Sequence, residues 1–247
     1  MKINKENSKI PSPNLFPVVG IGASAGGLEA FKKLLKAIPE NSGMAYVLVQ
    51  HLDPTHESLL PVLLQKVTSL PVLEITDDLK VQPDHIYIIP SNKMLLANDG
   101  ILKLSPRPEK GKNQRNLPID LFFNSLAEVH QSYAIGVVLS GTATDGTLGL
   151  KAIKEQGGLT FAQDEASAAY DSMPHSAMMA GVVDFILPPE KIPGKLVELT
   201  NSIYKIGEQP QTALEKDEAA FKQILSLLRI RKGTDFKIGR ASCRERV

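Results

Sequence analysis

Short apolar runs alternate along this chain with segments whose apolar residues recur every three to four positions. The runs typical of buried strands cover residues 17–21, 45–49, 85–89, 134–139, 159–162 and 182–187. The segments with helical spacing cover residues 27–38, 59–67, 118–129, 148–155 and 174–180. Strand–helix alternation predicts an α/β fold: a doubly wound, mostly parallel sheet with helices on both faces, in a Rossmann-like three-layer arrangement.

A β-hairpin and three segments complete the expected organisation. Asn98-Asp99-Gly100 supplies a tight turn between two apolar pairs, which predicts a small hairpin over residues 94–104. Residues 1–16 carry Pro11 and Pro13 among polar residues and are expected to form a flexible leader. Residues 17–206 are expected to form one domain, followed by a separate segment over residues 207–247.

Cysteine content and hydropathy indicate where in the cell the protein is expected. Cys243 is the single cysteine, which excludes an internal disulfide and a thiolate metal cluster. The polar N-terminus lacks the apolar centre of a secretory signal, and no apolar run reaches the ~18 residues of a membrane span. A cytoplasmic protein without direct membrane insertion is therefore expected.

Charge is distributed unevenly. The net charge is +1, but residues 220–247 hold eight Lys or Arg against two Asp or Glu, so residues 1–219 are acidic. An acidic body with 5% aromatic residues offers no surface for nucleic acid.

The glycine-rich loop at residues 20–27 fits two motifs that predict different functions. From Gly20 it is Gly-x-Gly-x-x-Ala, which lets a dinucleotide pyrophosphate approach a helix N-terminus. From Gly22 it is Gly-x-Ser-x-Gly, a tight strand-to-helix turn that exposes a serine nucleophile. A dinucleotide site needs an acidic residue at the end of the second strand, and that end carries Gln50-His51 instead. The serine interpretation is favoured.

Three chemically reactive residues follow strands of the expected sheet. Ser24 follows the first strand, His51 follows the second, and Asp145 follows the strand at 134–139. Because ligands gather at the carboxyl ends of parallel strands, these side chains are expected to meet at one edge. A hydroxyl, an imidazole and a carboxylate are the nucleophile, base and orienting group of a catalytic triad.

Each residue taken alone has an ordinary alternative. Ser24 could lie in a purely structural or phosphate-binding turn, His51 could be a structural histidine, and Asp145 could be a turn or helix-capping aspartate. His51 and His56 are awkwardly spaced for two metal ligands, and no acidic ligand cluster accompanies them. No metal site and no cofactor are expected.

The chain resembles the catalytic domain of CheB-type protein-glutamate methylesterases over roughly residues 17–200. The matching motifs include Gly-Ile-Gly-Ala-Ser-Ala-Gly-Gly, Val-Gln-His-Leu-Asp-Pro and Leu-Ser-Gly-Thr-Ala-Thr-Asp-Gly. They lie, with three further motifs, at residues 18–27, 49–54, 116–123, 137–146, 162–168 and 173–174. The resemblance implies Ser24, His51 and Asp145 as the triad of an esterase that converts glutamyl methyl esters of chemotaxis receptors to glutamate and methanol. It also implies deamidation of receptor glutamines.

The expected oxyanion and substrate loop consists of Ala25, Gly26 and Thr142. The helix that begins near Gly26 directs backbone N–H groups at a developing oxyanion. Thr142 stands where the family often has methionine, in Gly-Met-Gly-Asn-Asp-Gly, and its backbone N–H can still take part. His175 stands where relatives commonly carry arginine, which weakens any substrate contact of that arginine.

The C-terminal segment resembles a second family. Residues 217–237 are similar to the opening of a CheR-type methyltransferase N-terminal domain, whereas 239–247 fit neither family and are expected to be a truncation or non-native tail. The expected partners are therefore methylated receptor helices, with a CheR-type methyltransferase and sensor kinase modules in the same full-length chain. The alternatives are a non-catalytic esterase-like regulatory module and, less favoured, a dinucleotide-binding protein.

Overall fold

The computed structural model describes residues 16–50, 59–98, 100–107 and 117–204. Its strands are β1 Val18–Ala23, β2 Ala45–Gln50, β3 Val72–Glu74, β4 Leu79–Lys80, β5 Ile86–Ile88, β6 Lys93–Asn98, β7 Ile101–Pro106, β8 Ala134–Val138, β9 Leu159–Gln163 and β10 Phe185–Leu187. Its α-helices are α1 Gly27–Lys36, α2 Leu60–Gln65, α3 Pro118–His130, α4 Thr147–Glu155, α5 Ser172–Met179 and α6 Ile192–Tyr204. The alternation expected from the sequence is confirmed.

Seven of these strands form one parallel sheet in the order β10-β9-β8-β1-β2-β5-β3. The chain moves from β1 through α1 to β2 in one direction, and from β8 through α4 to β9 in the other. Because parallel crossovers are right-handed, α1 and α4 lie on opposite faces of the sheet. The order reverses between β1 and β8, so a crevice is expected at the carboxyl ends of these two strands.

The core on one face of the sheet packs under α3 and α4. Alternate residues of β2, among them Val47 and Val49, join the apolar cluster that contains Ile119 and Phe123 of α3. Gly22 allows this close packing, because a Cβ there would overlap Cγ2 of Ile119. The helix therefore lies directly on β1 and β8, next to the point where the strand order reverses.

The structure contains elements that the hydrophobic pattern did not predict. The expected hairpin is present as β6 and β7, but β4 extends it to a three-stranded antiparallel sheet. The edge strand β3 was missed because it is only three residues long and largely exposed, so the sequence has no long apolar run there. The pattern also missed α6, whose Pro193 breaks helical spacing in the sequence but is tolerated in a first helical turn.

The chain divides into two compact units, residues 1–195 and 196–247. The structure describes only residues 196–204 of the second unit, and these form the end of α6. The expected leader up to residue 15 and the expected segment at 207–247 lie outside the described residues, so the boundary at 206 stays a prediction. Among the described helices, none is long and apolar enough to cross a membrane.

Candidate active site

Ser24 lies in the turn that joins β1 to α1, at the carboxyl edge of the sheet. Its backbone N–H donates to the carbonyl of Ser140 (3.0 Å), and its own carbonyl accepts from the N–H of Gly27 (2.9 Å). A Cβ on Gly141 would lie 3.0 Å from Cβ of Ser24. These contacts place a half-buried serine beside the residues that follow β8, at the reversal of strand order.

Gly26 forms the N-cap of α1 in a left-handed conformation, with φ of 74°. A side chain here would be strained by this φ, and its Cβ would lie 2.7 Å from Oγ of Ser140. No hydrogen bond between described residues uses the N–H of Ala25 or Gly26. Next to Ser24, the positive end of α1 thus carries N–H groups that have no partner among the described residues, an arrangement that suits a developing negative charge.

Asp145 is fully buried and binds the N-terminus of α3. Its Oδ2 accepts from the N–H of Ile119 (3.0 Å), and its Oδ1 accepts from the N–H of Asp120 (2.9 Å). A helix-capping role is therefore present, although for α3 rather than for α4, which Asp145 precedes. Each carboxylate oxygen has capacity for a second hydrogen bond, so this role leaves room for another donor.

Asp120 is a second buried carboxyl group that sequence reasoning did not single out. Its Oδ1 accepts from the N–H of Gly149 in α4 (2.8 Å). Burial, together with the nearby Asp145, raises the pKa of Asp120 to about 6, against the opposing effect of the Gly149 N–H. It lies in the first turn of α3, but its partner belongs to α4, so no local sequence signal marks this contact.

The loop between β8 and α4 carries Thr142 at its exposed side. No hydrogen bond between described residues uses the N–H of Thr142, whereas the N–H of Gly141 donates to the carbonyl of Tyr170 (2.9 Å). Ala143 adopts φ of 71°, a conformation that favours glycine. The loop resembles the family motif, in which glycine occupies this position.

An exposed ion pair joins α5 to the segment that follows β9. Nδ1 of His175, in the first turn of α5, is 2.5 Å from Oε1 of Glu165. The hydrogen bond to Glu165 raises the pKa of His175, because it favours the charged imidazolium. The position that carries arginine in relatives therefore retains positive charge over a wider pH range than an isolated histidine would give.

The structure brings most of the expected site together. Ser24, Ala25 and Gly26 form one turn, and Thr142 and Asp145 lie in the adjoining β8–α4 loop. His51 lies outside the described residues, so its catalytic role stays a prediction, as do the roles of the other five. The end of β2 is Gln50, whose Nε2 is 3.5 Å from the carbonyl of Ser24, where a dinucleotide site would need an acidic residue.

No group of three potential metal ligands occurs among the residues that the structure describes.

Comparisons with known proteins point to one family. The sequence profile of the CheB methylesterase family matches residues 19–196. A Burkholderia pseudomallei protein named protein-glutamate methylesterase/protein-glutamine glutaminase 2 is 36% identical over 190 residues, which are 76% of this chain and 55% of that protein. A Leptospira interrogans protein named putative protein-glutamate methylesterase/protein-glutamine glutaminase is 32% identical over 185 residues, which are 74% of this chain and 95% of that protein.

A solved structure shows the same fold. The crystal structure of the Thermotoga maritima CheB methylesterase catalytic domain matches with a TM-score of 0.68 and 32% identity, over 75% of this chain and 100% of that one. The chain spans about half the length of the Burkholderia relatives it matches. The profile match, the Leptospira relative and the solved domain agree: this chain belongs to the CheB methylesterase family.

Proposed function

We propose that this chain is a serine-type protein-glutamate methylesterase that hydrolyses glutamyl methyl esters of chemotaxis-type receptors to glutamate and methanol. The observation that carries the proposal is the β1–α1 turn, which holds Ser24 at the carboxyl edge of the sheet, beside N–H groups that bond to none of the residues the structure describes. The family and the names of its relatives supply the substrate class. Deamidation of receptor glutamines, with ammonia as the leaving group, is included in the proposal.

The reaction proceeds through an acyl-enzyme. Oγ of Ser24 attacks the ester carbonyl carbon while the imidazole of His51 accepts the hydroxyl proton. The N–H groups of Ala25, Gly26 and Thr142 stabilise the oxyanion, and methanol leaves with the proton from His51. Water then attacks the acyl carbon, passes a proton to His51 and releases the glutamate side chain. The Ser24 oxygen takes the proton back.

Asp145 orients His51 and stabilises the imidazolium that forms in both steps. Its burial and its two hydrogen bonds from α3 support this role, because they fix the carboxylate before substrate binds. The same residue thus serves as a helix ligand and as the orienting group of the triad.

The proposal extends to the wider chain. The similarity of residues 217–237 to a CheR-type N-terminal domain supports a protein in which methylesterase and methyltransferase modules are fused, with sensor kinase modules further on. We place the activity in the cytoplasm, since the methylated segments of the receptors would have to be reached there.

Methanol release from a methylated receptor tests the proposal. Ser24→Ala should lower the rate by at least about 10³-fold, because the nucleophile is lost. Ser202→Ala is the matched control, since Ser202 is an exposed serine on α6, and it should leave the rate unchanged. Ammonia release from a receptor with glutamine at the same sites tests deamidation. A folded wild-type protein that releases no methanol would favour the non-catalytic module instead.

A further inference from the structure

Tyr170 presents half of its side chain to solvent beside the candidate nucleophile. It is 51% exposed, yet its Cδ2 lies 3.2 Å from the point that a Cβ on Gly26 would occupy. Gly26 is two residues from Ser24, so the ring lies next to the turn that carries Ser24. An exposed aromatic surface at this position is available to whatever binds there.

The backbone of Tyr170 is fixed on both sides of this ring. Its N–H donates to Oγ of Ser140 (3.0 Å), and its carbonyl accepts from the N–H of Gly141 (2.9 Å). The carbonyl of Gly141 in turn accepts from the N–H of Met173 (3.0 Å). The loop between β9 and α5 is therefore tied to the residues that follow β8.

Ser140 connects this loop to the nucleophile turn. Its hydroxyl donates to the carbonyl of Ala25 (2.9 Å), and its carbonyl accepts from the N–H of Ser24 (3.0 Å). Its own N–H donates to Oε1 of Gln163 at the end of β9 (2.8 Å). Ser140 is 1% exposed, so every one of these polar groups is satisfied inside the protein.

An aromatic side chain held in this way is well suited to bind a polypeptide. Tyrosine supplies a large contact area with few rotatable bonds, and a fixed backbone lowers the ordering cost of binding. The glutamyl ester that reaches Ser24 is part of a polypeptide. The residues that flank the ester in that polypeptide then lie close to Tyr170. A small ester has no such neighbours.

We propose that Tyr170 is a specificity-determining residue of this site, which contacts the polypeptide flanking the ester, and that Ser140 is the residue that positions it. The inference rests on the proposed function for the identity of the substrate. It predicts that Tyr170 favours protein-borne esters over small ones, and that Ser140 acts on receptor binding mainly through Tyr170.

Binding is measured first, with a methylated receptor and the Ser24→Ala protein, which cannot turn the ester over. Adding Tyr170→Ala should raise Kd about tenfold, whereas adding Tyr170→Phe should change it less than about twofold. Ile186→Ala is the matched control, because Ile186 is 52% exposed on the edge strand β10, and it should leave Kd unchanged. An unchanged Kd in Tyr170→Ala overturns the inference, as does an equal loss in Ile186→Ala.

A double-mutant cycle tests Ser140 in the same background. Ser140→Ala should raise Kd about threefold when Tyr170 is present and by a smaller factor when Tyr170 is already alanine, because only the lost hydrogen bond to Ala25 then remains. Equal effects in both backgrounds would show that Ser140 does not position Tyr170.

Turnover separates this inference from the proposed function. With Ser24 intact, Tyr170→Ala should lower the ratio of kcat/KM for methylated receptor to kcat/KM for p-nitrophenyl acetate about tenfold. A ratio that stays constant contradicts the inference while leaving the methylesterase proposal in place. Absence of methanol release from the wild type contradicts the methylesterase proposal, and the Kd measurements still decide the role of Tyr170.

Discussion

Asp145, which precedes α4, binds the N-terminus of α3, and Asp120, in the first turn of α3, binds the N-terminus of α4. The first interaction joins the Asp145 carboxylate to the N–H groups of Ile119 and Asp120, and the second joins Oδ1 of Asp120 to the N–H of Gly149. The N-terminus of α3 thus binds a carboxylate from the loop before α4, and the N-terminus of α4 binds a carboxylate from α3. Both carboxylates lie at the positive end of a helix dipole. This exchange fixes the loop that carries Asp145 against the two helices.

The pH dependence of stability should report on Asp120. Its pKa of about 6 in the folded protein lies above the ordinary 3.8, so the folded state holds this proton more tightly than the unfolded state. The resulting stabilisation is complete below pH ~4 and is lost as the pH rises through 6. Asp120→Asn keeps an oxygen acceptor but has no proton to lose.

Denaturant unfolding from pH 4 to pH 7 measures this effect. The free energy of unfolding of Asp120→Asn, relative to wild type, should rise across this range by roughly 2–3 kcal/mol. Ser202→Ala is a control at an exposed position without a titrating side chain, where the relative stability should stay flat. If the difference in unfolding free energy between Asp120→Asn and wild type is also independent of pH, the Asp120 carboxyl group has the same pKa in the folded and the unfolded protein.

Gly26→Ala should destabilise the protein by two separable effects. The left-handed conformation costs alanine about 1–2 kcal/mol. The contacts of a Cβ with Oγ of Ser140 and Cβ of Ala169 add about 1–3 kcal/mol. Gly181→Ala is the matched control, because Gly181 has φ of 67° and nothing within 4 Å of the added Cβ. Thermal or denaturant unfolding should show a larger loss at Gly26, and equal losses would show that the Ser24 turn is not closely packed.

Ala143→Gly should stabilise the protein. Relief of the left-handed strain at φ of 71° outweighs the extra flexibility that glycine gives the unfolded chain, with a net gain of about 0.5–1 kcal/mol. Ala152→Gly, in the middle of α4, should instead cost about 1 kcal/mol. Opposite signs for the same substitution in denaturant unfolding would support the strained loop, and a loss at both positions would argue against it.

The ion pair of His175 can be followed by NMR. The ring C–H resonances of His175 should titrate above 6.5, because its hydrogen bond to Glu165 favours the charged imidazolium. Glu165→Gln should lower this pKa toward 6.5, whereas the same change at the exposed Glu40 should not move it. If Glu165→Gln leaves the pKa of His175 unchanged, the two side chains do not interact in solution.

The sequence was sufficient for those features that local pattern or strand-end position determines. Buried strands such as β1 and β8 are continuous apolar runs, and their carboxyl ends carry Ser24 and Asp145. The exchange between Asp145 and Asp120 could not be predicted, because it links residues 25 positions apart through the packing of α3 on α4. The role of Ser140 was missed for the same reason, since its partners come from three separate segments.

The central claim is that Ser24 attacks a glutamyl methyl ester and carries the acyl group. Rapid acid quench of the protein with a methylated receptor, followed by mass spectrometry of its peptides, tests this claim most directly. The account predicts a glutamyl adduct on Ser24 that forms together with methanol, and the loss of both in Ser24→Ala. Methanol release that continues at the wild-type rate in Ser24→Ala would contradict it.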